Sequence, residues 1–409
     1  MNTGDTAWVM LSTILVFAMT IPGLAFFYGG LVRRKNVLSV LMQCFIIMCV
    51  ISLQWVLFGY SLSFGADTGQ GIIGGLEWAG LNHVGGQPNG DYAATIPHGV
   101  FMIFQCMFAV ITPALMIGAF AERMKFSAFL VFTILWTTLV YDLLAHWVWG
   151  TGGWMRNLGG LDFAGGIVVH ASSGVSALVL CILLGKRLGY QKTPFRPHNL
   201  PFTVLGGALL WFGWFGFNAG SALGANELAA NAFVVTHIGT AAAGLTWALI
   251  EWQRHGKPTL GTVTGAVAGL VAITPACGFV NPMNAIFIGI VVAFVCYIAV
   301  TMIKTRLGYD DALDAFGVHG VGGIWGTIAV GLFAEKAVNA SGADGLFFGG
   351  AQLWPQVVMA VAAPLYAVIM TIIIYKIVDA LMCVRVKERE ENIGLDLTQQ
   401  SEAAYTVIE

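Results

Sequence analysis

Eleven apolar runs, each roughly the 20 residues a helix needs to cross a bilayer, leave this chain few ways to fold. They lie near 8–31, 37–64, 98–121, 126–149, 163–185, 201–221, 229–252, 259–279, 284–303, 316–335 and 354–381. Lipid offers no partner to a backbone amide, so each run must satisfy its hydrogen bonds internally, as a helix does. The expectation is an all-α polytopic membrane protein with eleven transmembrane helices. Composition agrees: 57% of residues are hydrophobic and 10% charged, which excludes an ordinary soluble enzyme of this length. A net charge of −2 gives no hint of nucleic-acid binding.

Basic residues orient the spans. Arg33, Arg34, Lys35, Arg123, Lys125, Lys186, Arg187, Lys192, Arg196, Arg254, Lys257, Lys304 and Arg306 follow spans 1, 3, 5, 7 and 9, and Arg385, Lys387 and Arg389 follow span 11. The other loops hold only Arg156 and Lys336. The positive-inside rule then sets the N-terminus outside and the C-terminus in the cytoplasm. Residues 1–6 carry no Lys or Arg, so the first run reads as a retained span and not a signal peptide. With five spans in a half, the second half starts from the opposite face, the arithmetic of an inverted repeat. The reading is a membrane domain over 1–384, with repeats at about 8–185 and 201–335 and an extra helix at about 354–381. A cytoplasmic tail follows over 385–409.

In so apolar a chain each ionisable side chain asks for an explanation. Asp162-Phe-Ala-Gly-Gly-Ile-Val-Val-His170 opens span 5, and His319 stands early in span 10 within Phe316-Gly-Val-His-Gly. These are corresponding places in the two halves. Taken singly, either histidine is equally well read as a buried ring satisfied by a backbone carbonyl. A metal centre fits poorly, because the neighbours are Val, Ala and Gly and no third ligand is near in sequence. Asp162, just ahead of Gly165-Gly166, suits a helix N-cap. Asp310, Asp311 and Asp314 ahead of span 10 suit the same role. Asp142, His146 and His237 read as helix-to-helix hydrogen bonds. The seven cysteines form no CxxC pair and read as small packing residues.

The segment 162–170 resembles the signature of the ammonium transporter family, Amt/MEP with the related Rh proteins. Phe27-Tyr-Gly-Gly-Leu-Val-Arg33, Ala119-Phe-Ala-Glu-Arg123, Trp214-Phe-Gly-Phe-Asn-Ala-Gly-Ser221 and Phe316-Gly-Val-His-Gly320 carry the same resemblance in order along the membrane domain. It implies a homotrimer of eleven-helix protomers in the cytoplasmic or inner membrane, each with its own pore, no cofactor and no catalytic chemistry. By resemblance the outer recruitment site holds Trp149, Phe108 and Ser221, with Phe104 and Ala164 nearby. Phe108 and Phe217 would be the stacked gate, His170 and His319 the pore and proton relay, and Asp162 the brace behind the site. By position alone, Trp149 suits an interfacial aromatic belt and the phenylalanines suit lipid-facing or core packing.

Physics states what such a pore must do. Ammonium and potassium are close in size, so a wet channel sorts them poorly. A dry apolar lumen excludes both, because moving an ion into low dielectric costs tens of kcal/mol in the Born limit, whereas neutral ammonia crosses far more cheaply. An indole face can recruit the cation by a contact worth about 0.5–2 kcal/mol. Two imidazoles can then hydrogen-bond each other and meet the amine. The rival reading is a sensor of the same fold that binds ammonium and signals through its tail. That tail, with Arg385, Glu388, Glu390, Gly394-Leu395-Asp396 and Tyr405, resembles the family's regulatory segment but has Gln400-Ser401-Glu402 where relatives read His-Gly-Glu. A PII-type signalling protein is the cytoplasmic partner the resemblance implies.

Overall fold

Asparagines start several of the spans. Asn2, Asn199, Asn226 and Asn281 each accept hydrogen bonds from amides of the first turn that follows, which satisfies donors a helix leaves free at its N-terminus. The computed structural model describes residues 1–405, and the last part of the expected tail, 406–409, lies outside the described residues. Among the described residues there is no β-strand, and ten helices are long and apolar enough to cross a membrane. They are α1 (Thr3–Leu31), α2 (Arg34–Phe64), α3 (His98–Phe120), α4 (Phe126–Asn157), α5 (Gly166–Leu184), α6 (Leu200–Gly220), α7 (Glu227–His255), α9 (Pro282–Leu307), α10 (Phe316–Phe333) and α11 (Leu353–Met382). Between α7 and α9 lies the shorter α8 (Gly261–Ile273).

The run expected at 259–279 is therefore helical only to Ile273. Pro275 lacks an amide proton, yet Thr274 before it is still helical and Pro113 of the same Ile-Thr-Pro-Ala motif lies within α3, so the proline alone does not end α8. The chain turns there, and the Pro275 carbonyl accepts from the Phe163 amide at 3.2 Å. Thirteen helical residues reach only about 20 Å, short of a hydrocarbon layer. Ile273-Thr274-Pro275-Ala276 also repeats Ile111-Thr112-Pro113-Ala114 of α3. In both copies the threonine hydroxyl donates to the carbonyl four residues back, 2.6 Å to Phe108 and 2.7 Å to Leu270.

Burial separates an inner set of helices from an outer one. The most apolar stretches of α3 and α5 are 83% buried and that of α10 67%, against 39–44% for α1, α2, α6, α7, α9 and α11. Ile14, Leu53, Leu245 and Leu365 point outward from the outer set, the surface a lipid-facing wall presents. The inner helices α5 and α10 cross where Gly174 meets Gly320, and a Cβ on Gly174 would run into the Gly320 backbone.

The ends following α1, α3, α5, α9 and α11 gather at one end of the molecule around a buried charge network. Arg187 grips Asp310 through two nitrogens, at 2.7 and 2.9 Å, and reaches Glu122 at 3.1 Å. Arg33 binds Glu122 at 2.8 Å, and Arg123 donates to the Asp310 carbonyl at 2.6 Å. Phe195 lies between the Arg33 and Arg187 guanidiniums, 4.5 Å from each, so cation–π contact adds to the pairing. Burial works against the Glu122 and Asp310 charges, but Arg187 in both cases, with Arg33 at Glu122 and Arg123 at Asp310, more than offsets it and holds both carboxyls below their ordinary values.

The tail packs beneath its own chain through α12 (Glu388–Ile393) and α13 (Leu395–Gln399). Its contacts are reciprocal helix caps. Asn36, at the start of the long helical part of α2, accepts from the Leu395 amide at 2.8 Å, and Asp396 accepts from the Ser39 amide at 2.8 Å. Arg385 donates to the Leu184 and Lys186 carbonyls at 2.6 and 2.7 Å, closing the end of α5.

Because Glu122 and Asp310 titrate below their unfolded values, the stability they contribute is present above about pH 4 and lost as pH falls through the folded values. Glu122→Gln is expected to cost about 3 kcal/mol at pH 7 by leaving Arg187 and Arg33 underpaired. Thermal melts of both proteins across pH would check this: the gap should narrow below about pH 4, and a pH-independent gap would contradict it.

Candidate functional site

Asp162 sets the site by ending one loop and starting one helix. Its Oδ1 accepts from the Gly165 and Gly166 amides at 2.8 and 2.7 Å, and its Oδ2 from Ile167 and Val168 at 2.8 and 3.2 Å. One carboxylate thus satisfies four donors at a helix start. Gly165 allows the chain to arrive there, with φ of 111°, a left-handed conformation open to glycine at little cost. The backbone then winds a π-helical turn, Gly166–Ala171, which carries His170. The Asp162 carbonyl also accepts from the Trp149 indole at 2.8 Å, so the same residue fixes the ring of α4 beside it.

The second half is built alike. Asp311 accepts from the Ala315 and Phe316 amides at 3.1 and 2.8 Å, and a π-helical turn, Phe316–Gly320, carries His319. Asp162 precedes His170 by the same eight residues as Asp311 precedes His319. Of the three acids ahead of α10 only Asp311 caps it. Asp310 is taken by Arg187, and Asp314 pairs with Lys304 at 2.6 Å.

These elements line up a path. A vestibule of about 510 Å³ opens beside Trp149, Phe108, Ser221 and the loop around Asp162. Phe108 meets Trp149 edge-on at 6.0 Å and stacks on Phe217 at 4.2 Å between centroids, 22° from parallel. Beyond Phe217, at 5.9 Å, comes His170, and 5.4 Å further His319, whose ring is 17° from parallel with it. His319 then borders a second cavity of about 160 Å³ with Phe27, Tyr28 and Leu31. Both phenylalanine rings and His170 are fully buried, and His319 is 4% exposed. Phe104 packs edge-on behind Phe108 at 5.0 Å, and Ala164 is buried beside the Asp162 loop; neither lines the vestibule.

The imidazoles are poor in partners. Neither nitrogen of His170 and not Nδ1 of His319 has a hydrogen bond, although all three are buried. The two rings lie near-parallel without a hydrogen bond between them, which departs from the mutual hydrogen bond expected of them. His170 is also not the ring satisfied by a carbonyl that its position alone allowed. It lies 5.2 Å from Trp214, nearly parallel to it, an apolar wall that offers no acceptor.

Of the other polar candidates, Asp142 accepts from Gln54 of α2 at 2.6 Å, the helix-to-helix bond expected. His146 likewise bonds helix to helix, 3.1 Å from the Ser63 carbonyl of α2, and also reaches Asp67 in the loop beyond at 3.2 Å. His237 is exposed and packs on Trp211 and Phe215. The partners Gln54, Asp67 and Trp211 are remote in sequence, so no local pattern pointed to them.

Comparison with known proteins gives this geometry a context. The model of the Ammonium Transporter Family matches residues 7–405. An ammonium transporter of Bacillus subtilis is 56% identical over 99% of both chains. The crystal structure of Saccharomyces cerevisiae Mep2 superposes with a TM-score of 0.89 at 37% identity, covering 95% of this chain and 88% of that one. A structure described as a sensor Amt protein reaches the same TM-score at 29% identity, over 97% and 98%. A chain matched along nearly its whole length by sequence, and again by fold, is a multi-pass membrane protein of a transporter family and no enzyme: it belongs to the ammonium transporter family.

Proposed function

We propose that the chain recruits ammonium between Trp149, Phe108 and Ser221, removes its proton, and conducts ammonia past Phe108 and Phe217 along His170 and His319. The observation that carries this reading is the pair of buried imidazoles, 5.4 Å apart with unpartnered nitrogens, between two cavities. An unsatisfied buried polar atom costs about 1–3 kcal/mol, and a passing amine that donates and accepts would repay it. The surrounding rings of Trp214 and Phe217 keep water-like ligands from replacing an ion's hydration shell. Proton removal then belongs to the mouth, where Trp149 favours the cation and the lumen favours the base, and the proton passes to a free nitrogen of His170 and on along the His319 relay.

The inverted repeat belongs to the same reading, supported by the recurring Ile-Thr-Pro-Ala segments and the equal aspartate-to-histidine spacing. So does an eleven-span membrane domain with α8 as the short span, N-terminus outside and C-terminus in the cytoplasm, supported by the gathering of the basic ends around Arg187. A homotrimer in the cytoplasmic membrane, with a PII-type protein meeting its basic face, follows from the family. The tail is proposed as a regulatory element acting through its caps on α2 and α5. A sensor is the second reading, favoured by the sensor Amt neighbour.

Liposomes holding the purified protein should take up ammonium down its gradient and ignore potassium; binding without flux would leave the sensor. His170→Asp is expected to admit potassium, because a carboxylate lowers an ion's cost in the lumen; unchanged selectivity would remove His170 from the pore. Asp162→Asn turns one of the two accepting oxygens into an NH2 that faces two amide donors and should cost about 2 kcal/mol or more, with flux falling alongside melting temperature. Asn36→Ala with Asp396→Ala removes the reciprocal caps, about 1 kcal/mol each. Proteolysis should then cut the tail faster and flux should change; a released tail with unaltered flux would deny it a regulatory role.

A further inference from the structure

Of the loops poor in basic residues, Arg156 is one of two exceptions, and it borders the vestibule beside Trp149. A fixed positive charge is a costly lining for a chamber that meets a cation, because like charges repel. Its placement is built. Arg156 stands in the last turn of α4, past the break in that helix at Gly150. Its Nη1 donates to the Trp149 carbonyl at 2.7 Å and to the Thr151 hydroxyl at 3.4 Å, a cation at the C-terminal end of the helical stretch that presents the indole. The Thr151 amide donates to the Tyr92 hydroxyl at 2.9 Å, which donates to the Phe64 carbonyl at 2.7 Å. Asp91, next to Tyr92, borders the same vestibule. Asp91 and Arg156 are both exposed, and among the described residues neither makes an ion pair. They are thus held around one turn as separate, opposite charges on the chamber wall. The other charged residue bordering the vestibule among those described is Asp162, already met by four amides.

We propose that Arg156 sets the affinity of the vestibule for its cation, holding it down against the pull of Asp91 and Asp162. The inference rests on the recruiting reading above and names a residue that governs it. A round chamber of this volume is roughly 10 Å across, close to the Debye length of about 8–10 Å in physiological salt, so a charge on its wall is felt throughout it. With Arg156 present the two exposed charges cancel, and the modest attraction of the Trp149 face decides the affinity. Without it, the carboxylates draw every cation to the mouth and slow its departure. Conduction needs a site strong enough to fill and weak enough to empty. The bond to the Trp149 carbonyl fixes where the charge stands. A field of this kind does not tell ammonium from potassium, so it changes how much cation gathers and leaves the sorting to the lumen.

Ammonium uptake into liposomes holding the full-length protein tests the assignment, with ionic strength varied by N-methylglucamine chloride. Wild type is expected to show a half-saturating concentration that depends weakly on salt. Arg156→Gln, which keeps a donor for the Trp149 carbonyl, should lower that concentration about threefold at low salt, the gain fading as salt screens it. Asp91→Asn should raise it about threefold, again fading with salt. Arg156→Lys keeps the charge and loses the planar fork, and should follow wild type. Potassium should stay excluded throughout, and its admission by Arg156→Gln would move the residue into the lumen's filter and overturn the proposal. So would equal shifts in the Gln and Lys variants, the mark of a structural contact, or a Gln variant unmoved at every salt concentration. Absence of ammonium flux in wild type would sink the recruiting reading and this inference together, whereas wild-type flux with unmoved variants would sink this inference alone.

Discussion

A single buried carboxylate organises the centre of this molecule. Asp162 is 6% exposed, yet each of its oxygens receives two backbone amides, so its charge is met by dipoles and not by a counter-ion. That choice has consequences along the chain. It lets α5 begin inside the protein, it delivers His170 one wide turn later, and its own carbonyl holds Trp149 in place. Asp311 does the same for α10 and His319 with two amides. Non-helical backbone at membrane depth is tolerated only when its polar groups are met this way or line a cavity.

Several hydroxyls of the inner helices are spent locally. Ser172 and Ser173 return their hydroxyls to carbonyls of the preceding turn, and Thr112 and Thr274 do likewise on α3 and α8. Trp136 and Thr371 share Ser176. Gln105 and Asn218 each leave one buried oxygen without a partner, but among the described residues His170 alone leaves two side-chain atoms bare. Leaving a buried group unmatched lowers stability, and a fold keeps such a group where a ligand completes it. The proposed role of the imidazoles rests on that contrast and on the apolar rings that enclose them.

The basic end of the molecule couples elements that are far apart in sequence. Glu122, Arg187 and Asp310 join the ends of α3, α5 and α9, and the tail reaches the same α5 end through Arg385 and Glu391. A displacement of the tail or of the ion-pair network would therefore be felt at the ends of α5 and α10, the helices that carry both histidines.

Much of this was legible in the residues. Span length, the alternation of basic loops, the cap at Asp162 and the two histidines all follow from costs that act along the chain: hydrogen bonding within one helix, and the expense of charge in lipid. Two further signals are present in the sequence, the repeated Ile-Thr-Pro-Ala and the equal aspartate-to-histidine intervals, but scattered short matches carry weight only once their positions correspond in space. The shortness of α8, the place of Phe104 behind Phe108, the exposure of His237, the partners of Asp310 and the docking of the tail on its own chain were decided by tertiary structure. Each depends on which surfaces meet, as when Asn36 and Asp396 cap one another's helices from opposite ends of the chain, and such meetings are set by packing of whole helices that no local pattern encodes.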